Sequence, residues 1–251
     1  MTTSTKKRLA VAIPSAILLV ILAVFVAVAF TPSARAANAT APTEIDRDAT
    51  RALHNCAAYA SSHDFETSMT GTVKAKVFGI PYKISVTGRR DVSGGNLESV
   101  AESVSAFVKA GVKRMKVDGK LYSCNGTYKS KSFSYTDTRE YSFDDYVASF
   151  GKPDLGLVKY ELDGNVLSAE RLTDNTYRFT LEPDRAAKYS RNEVKTTLGS
   201  KEPPSYELIE LTLETDGDKP TRVTVHERFT VDKFGGTRCD ASYTETFTFK
   251  Y

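Results

Sequence analysis

The stretch "FETSMTGTVKAKVFG", residues 65–79, constrains the fold more than any other part of the chain. Phe65, Met69, Val73, Ala75 and Val77 share one parity, and Glu66, Thr70, Thr72, Lys74 and Lys76 share the other. Successive side chains of a strand point to opposite faces, so this pattern specifies a long strand with one face on a core and one in water. "GIP" at 79–81 turns the chain, and Tyr82, Ile84 and Val86 carry the alternation back as a hairpin.

The same period recurs. Val112–Val117 and Leu121–Cys124 flank Asp118-Gly119, a strong hairpin signal. Val166–Leu172 and Thr176–Leu181 flank "TDN", and Tyr206–Glu214, Thr221–Val231 and Thr237–Tyr251 read as three closing strands. Residues 97–108 suit a helical stripe or an extended chain, and the meander around them favours a strand. Residues 126–140, rich in Ser, Thr, Tyr and Lys, read as a mobile crossing.

Three helices interrupt the strands. Ile45, Ala49, Leu53, Cys56, Ala57 and Ala60 recur at three and four, giving a helix from Thr43 to about Ser62 with Asp46 as capping partner. Ser142 and Asp145 cap a short helix that Gly151 ends. "EPDRAAKYSRNEVKTTLG" reads as one helix, with Pro183 in its first turn and Gly199 as its stop. The order of elements is that of an α+β protein with one large antiparallel sheet curling over its helices.

The N-terminus has its own chemistry. Lys6-Lys7-Arg8 precede an uncharged run from Leu9 to Phe30. A helix of that length rises about 33 Å, enough to cross a bilayer core of roughly 30 Å. Ala34-Arg35-Ala36 and Ala37-Asn38-Ala39 have small residues where a signal peptidase cuts. Residues 1–36 are thus a signal peptide or a membrane anchor, 37–43 a linker, and 44–251 a single extracytoplasmic domain. The membrane, through this segment, is one expected partner.

Charge excludes one class of function. Beyond Ala36 there are 30 basic against 31 acidic residues, a near-neutral domain with no electrostatic match to nucleic acid. Lys113, Arg114 and Lys116 alternate with Val112, Met115 and Val117, which reads as the solvated face of a strand. Cys56, Cys124 and Cys239 have no zinc-ligand spacing, and one disulfide among them is compatible with an exported chain. His54, His63 and His226 read as structural, so no metal, cofactor or catalytic residue is expected. Asp144, Asp145, Asp174 and Asp184 each have a role at a helix start or turn.

At "NTYRFTLEPDRAAKYSRNEV" a strand runs into "EPD", a helix and a closing three-strand meander. With the leading helix and the long first strand, residues 44–251 resemble the bacterial lipoprotein-carrier superfamily, which includes LolA, LolB, LppX-type lipoproteins and the RseB sensor domain. The resemblance implies an open half-barrel with helices on its concave side and an apolar cavity for acyl chains between them. Inward positions, chosen by alternation in this sequence, are Phe65, Met69, Val73, Val77, Ile84, Val86, Phe179, Leu181, Leu208, Leu211 and Leu213. No cysteine follows the N-terminal segment closely, unlike LppX-type members.

The leading expectation is therefore a non-enzymatic envelope protein that binds a lipid or a lipoprotein acyl chain. A membrane-anchored sensor or interaction domain is the alternative, and a hydrolase with carboxylates assembled in space is a third reading.

Overall fold

The computed structural model describes residues 45–77, 80–104, 109–198, 202–233 and 237–251. The expectations for residues 1–44, Thr43 included, for Gly79 in the first turn, for 105–108 and for Gly199 as a helix stop lie outside them. No described helix is long and apolar enough to cross a membrane.

Helix α1 (Arg47–Ser62) comes first, followed by β1 (Phe65–Val77), β2 (Ile80–Ser93), β3 (Asn96–Val104), β4 (Lys109–Val117) and β5 (Lys120–Asn125). Short strands β6 (Thr127–Lys129), β7 (Ser132–Ser134) and β8 (Arg139–Tyr141) lead to α2 (Phe143–Phe150). A long loop reaches β9 (Val166–Thr173) and β10 (Thr176–Leu181). Then come α3 (Pro183–Ala186), α4 (Ser190–Leu198), β11 (Ser205–Asp216), β12 (Lys219–Lys233) and β13 (Thr237–Lys250).

Eleven strands form one antiparallel sheet in the order β8-β5-β4-β3-β2-β1-β13-β12-β11-β10-β9. The sheet is open, with β8 and β9 as its edges. Its middle seam joins the first strand to the last, with Met69 opposite Phe247 and Val73 opposite Tyr243. Each half is a meander of consecutive hairpins. Gly94 and Gly95 turn β2 into β3 at φ of 57° and 76°, a left-handed region that glycine enters without strain.

Residues 96–104 form a strand, the extended option of the two that the sequence left open. The stretch 126–140 differs from its reading as a mobile crossing. Tyr128 and Phe133 face each other across a two-stranded ribbon, with ring centroids 5.0 Å apart.

Helix α1 begins one residue beyond Asp46, whose extended backbone makes it the N-cap itself. Its carboxylate accepts from the backbone N–H of Asp48 and Ala49 at 2.8 and 3.0 Å. Ala49, Leu53, Cys56 and Ala60 form the buried stripe. Helix α2 has the expected cap, with the Asp145 N–H donating to Ser142 Oγ at 3.1 Å.

The segment from Pro183 to Leu198 is two helices rather than one. Ala187 leaves helical geometry at φ −85°, ψ 8°, and the Lys188 and Asn192 N–H groups each reach back only three residues. This tight turn sets the Tyr189 carbonyl against Gly151, where a Cβ would lie 2.8 Å from that oxygen. Asn192 and Thr196 then donate to the Val147 and Ser149 carbonyls, tying α4 to α2.

Cys56, Cys124 and Cys239 are buried thiols, and no disulfide links them to one another. Burial, with Asp218 adding to it, pushes the Cys56 thiol up to about 12 and leaves it an inert core side chain.

Candidate ligand cavity

Two kinds of cover lie on the concave face. Helix α1 covers β9 to β12, where Leu53, Phe179, Leu181, Ile209, Leu211, Leu213, Val223 and Val225 are at most 1% exposed. The rest of the face lies beneath short pieces, namely α2, the loop from Gly151 to Lys159, and α4. They leave a cavity of about 390 Å³ between themselves and strands β1 to β4, β12 and β13.

The cavity wall is mainly apolar. Met69, Val73 and Ile84 come from β1 and β2, Ala101 and Val112 from β3 and β4, and Phe229 and Phe247 from β12 and β13. Tyr146, Phe150 and Val194 close it from the helices.

Ionic side chains interrupt that wall at four inward strand positions. On β12 the inward row reads Val223, Val225, Glu227, Phe229, Val231, and on β13 it reads Ala241, Tyr243, Glu245, Phe247, Phe249. Glu227 is 1% exposed. Lys159, from the covering loop, places its Nζ 3.3 Å from Glu227 Oε1 and 3.4 Å from Glu245 Oε1. Burial alone would drive Lys159 towards neutrality, but Glu227, Glu245 and Glu193 hold its ammonium well above the usual lysine value. Burial pushes Glu227 up to about 7; Lys159 pulls it down and Glu245 pushes it up.

Arg90 of β2 is 4% exposed and meets Asp154 of the loop at 2.6 Å. Its guanidinium also lies 5.0 Å from the Phe65 ring centroid and 5.4 Å from that of Phe247. Burial raises the Asp154 carboxyl above its ordinary value, and Arg90 only partly offsets this. Arg114 of β4 pairs with Glu193 of α4 and lies over the Phe150 ring at 4.6 Å. Burial opposes the charge on Glu193, but Arg114 and Lys159 outweigh it and hold that carboxyl below its usual range. Every ion pair here joins the sheet to its cover, so the same contacts that neutralise the buried charges hold the loop and α4 in place.

The eleven inward positions expected from alternation divide by location. Met69, Val73 and Ile84 line the cavity. Phe65, Phe179, Leu181, Leu211 and Leu213 lie in the solid core instead. Val86 is half-buried and away from the cavity wall, and the side chain of Val77 is outside the described residues. Leu208 is half-buried because its parity is opposite to that of Ile209, Leu211 and Leu213; a bulge between Tyr206 and Leu208 lets Tyr206 share their inward face.

The expected solvated face on β4 needs correction as well. Lys113 is on the outer face, pairing with Glu98 at 2.7 Å, but Arg114 points into the cavity. Arg90, Arg114, Glu227 and Glu245 were missed by reading the strands for apolar residues alone. Their signal was a charge occupying an apolar parity.

The histidines stay at the surface. His54 is 3.8 Å from Asp163, His63 stacks on Tyr59, and His226 bonds Thr244 at 2.9 Å. Among the described residues no group of three His, Cys, Asp or Glu could hold a metal ion.

No protein-family model matches this sequence, and no curated protein sequence does. Several solved structures are similar to it. A DUF1329 family protein from Desulfovibrio piger is 12% identical, with a TM-score of 0.34 over 80% of this chain and 91% of that one. A domain from Vibrio parahaemolyticus assigned to outer membrane lipoprotein sorting is 8% identical, with a TM-score of 0.34 over 81% of this chain and 92% of that one. A LolA superfamily protein from Nitrosomonas europaea is 9% identical, with a TM-score of 0.25 over 81% of this chain and 91% of that one. At this distance the likeness is one of element order, and the functional reading rests on the cavity.

Proposed function

We propose that this protein is an extracytoplasmic, non-enzymatic binding protein that takes an apolar ligand, a lipid or the acyl part of a lipoprotein, between its sheet and helices. The observation that carries this reading is the apolar cavity of about 390 Å³, a size within the range of small-molecule sites. Where Met, Val, Ile and Phe form the wall, an acyl chain recovers apolar burial at about 25 cal/mol per Å². The uncharged run from Leu9 to Phe30 supports delivery of the domain across a membrane, by cleavage or as an anchored chain.

Native mass spectrometry of the chain isolated from its host envelope, before and after organic extraction, tests the reading. A discrete extractable mass of a lipid is expected. A clean apo mass that gains nothing when lipids are offered would overturn it and favour an interaction domain.

A further inference from the structure

The cavity's polar atoms narrow the ligand further, given the apolar-ligand reading above. Buried polar groups without partners are few in native proteins, and seven of the eleven such atoms among the described residues belong to side chains that border the cavity. Neither carboxylate oxygen of Glu227 takes a hydrogen bond from the described residues, and Lys159 lies beside it off hydrogen-bond geometry. Glu245 Oε1, Asp154 Oδ1, Arg114 Nε and both Nε and Nη2 of Arg90 are likewise unmatched among the described residues. All of these side chains border the cavity. The unmatched set therefore mixes acceptors with donors.

Charge decides between head groups. Arg90 is matched by Asp154, Arg114 by Glu193, and Lys159 by Glu227 and Glu245. An anionic head would enter beside four carboxylates, and a cationic head beside three buried cations, with the more exposed Arg89 and Lys152 already paired to Glu98 and Glu161. Either would bring a charge into an apolar site whose counter-charges are already engaged, a large desolvation cost. A neutral hydroxyl or amide group carries no such cost. It can donate to a carboxylate oxygen and accept from a guanidinium N–H, and bonds to charged partners are the stronger kind.

We propose that the cavity selects an amphiphile whose head group is uncharged and both donates and accepts hydrogen bonds, seated against Glu227, Glu245 and Arg90 with its chain along the apolar wall. Glu227 and Arg90 are then specificity-determining residues, and the apolar wall supplies affinity without discrimination.

The test offers the full chain, as isolated from its host and stripped of lipid, probes of one alkyl length below their micelle concentrations. These are an alkyl glucoside, a monoacylglycerol, a fatty acid, an alkyl ammonium and the plain alkanol, compared by titration calorimetry. The glucoside or monoacylglycerol should bind at least about tenfold more tightly than either ionic probe, and which of the two is tighter tells a sugar from a glycerol source. Equal affinities across the series, or tightest binding by an ionic probe, would overturn the head-group inference while leaving the apolar cavity standing. Failure of every probe, the alkanol included, would overturn the binding reading itself.

Glu227→Gln keeps the side chain's shape. It should reduce the advantage of the hydroxylated probes over the alkanol by about threefold or more, since one charged acceptor is lost. An unchanged ratio would remove Glu227 from the site. Should that variant not fold, the series on the unaltered chain decides alone.

Discussion

The two halves of the concave face solve the same burial problem in opposite ways. Under α1, a single stripe of Ala49, Leu53, Cys56 and Ala60 meets Phe179, Leu181 and Ile209 with no charged partner and no space. Its small residues let the helix approach the sheet closely, and large strand residues fill the gaps. Under α2, α4 and the loop, the cover is made of short pieces that cannot follow the curved sheet closely. Ion pairs hold those pieces at a distance, and the cavity lies between. The first half is close-packed, and the second keeps open space between sheet and cover.

Several measurements can break or sharpen that contrast. The largest expected effect is in the solid half, where Phe179→Ala should cost about 3–5 kcal/mol in urea unfolding. Val73→Ala, on the cavity wall, should cost under about 1 kcal/mol, because its side chain already borders open space. Similar losses at both sites would erase the distinction.

Breaking the loop's anchor comes next. Lys159→Met leaves Glu227 and Glu245 without their shared cation and should destabilise by about 3 kcal/mol. Adding Glu227→Gln should recover part of that loss, and a double variant as unstable as the sum of both would show that the pair is not coupled. Overpacking should discriminate further. Leu211→Phe should cost about 1–3 kcal/mol, while Val112→Phe, pointing into the cavity, should change stability little and reduce lipid uptake.

The smallest effect is the pH dependence. The Glu227 carboxyl titrates at about 7 when folded, against 4.5 for the ordinary group. The folded state therefore binds this proton more tightly than the unfolded chain does. Its contribution is most favourable below 4.5 and is lost as pH rises towards about 7. Thermal melts of the unaltered chain and Glu227→Gln across that window should diverge as pH rises, with the unaltered chain losing ground. Parallel curves would show that Glu227 does not titrate there.

Much of the architecture could be read from residue pattern because alternation and turn chemistry are local. The strand at 65–77, the Asp118-Gly119 hairpin, the Ser142 cap and the α1 stripe each needed only neighbours in sequence. The errors came where a distant contact decided the outcome. A helix-like pattern at 183–198 is bent at Ala187 to fit Gly151, and a bulge near Glu207 brings Tyr206 onto the inward face. The candidate site was harder to read still. Apolar alternation finds the wall equally well over solid core and over space, so Met69 and Leu211 look alike. The distinguishing residues are the charges at inward parity, and only the fold shows that Arg90, Glu227 and Glu245 meet the same loop.

The central seam has a further consequence for how the molecule comes into being. Strand β1 pairs with β13, and α1 packs on strands from the other half of the chain. The first five strands can zip by short-range hairpins as soon as they emerge, but their outer seam and the core under α1 wait for the last residues to be made. Contacts that join opposite ends of a chain form slowly, because closing so large a loop costs entropy before any contact offsets it. Until Thr237–Lys250 arrives, β1 is a sheet edge with free backbone groups, the kind of surface that invites pairing with another chain. A protein organised this way has a vulnerable interval during its biogenesis, and the strand that ends it is made only after both of the strands it joins.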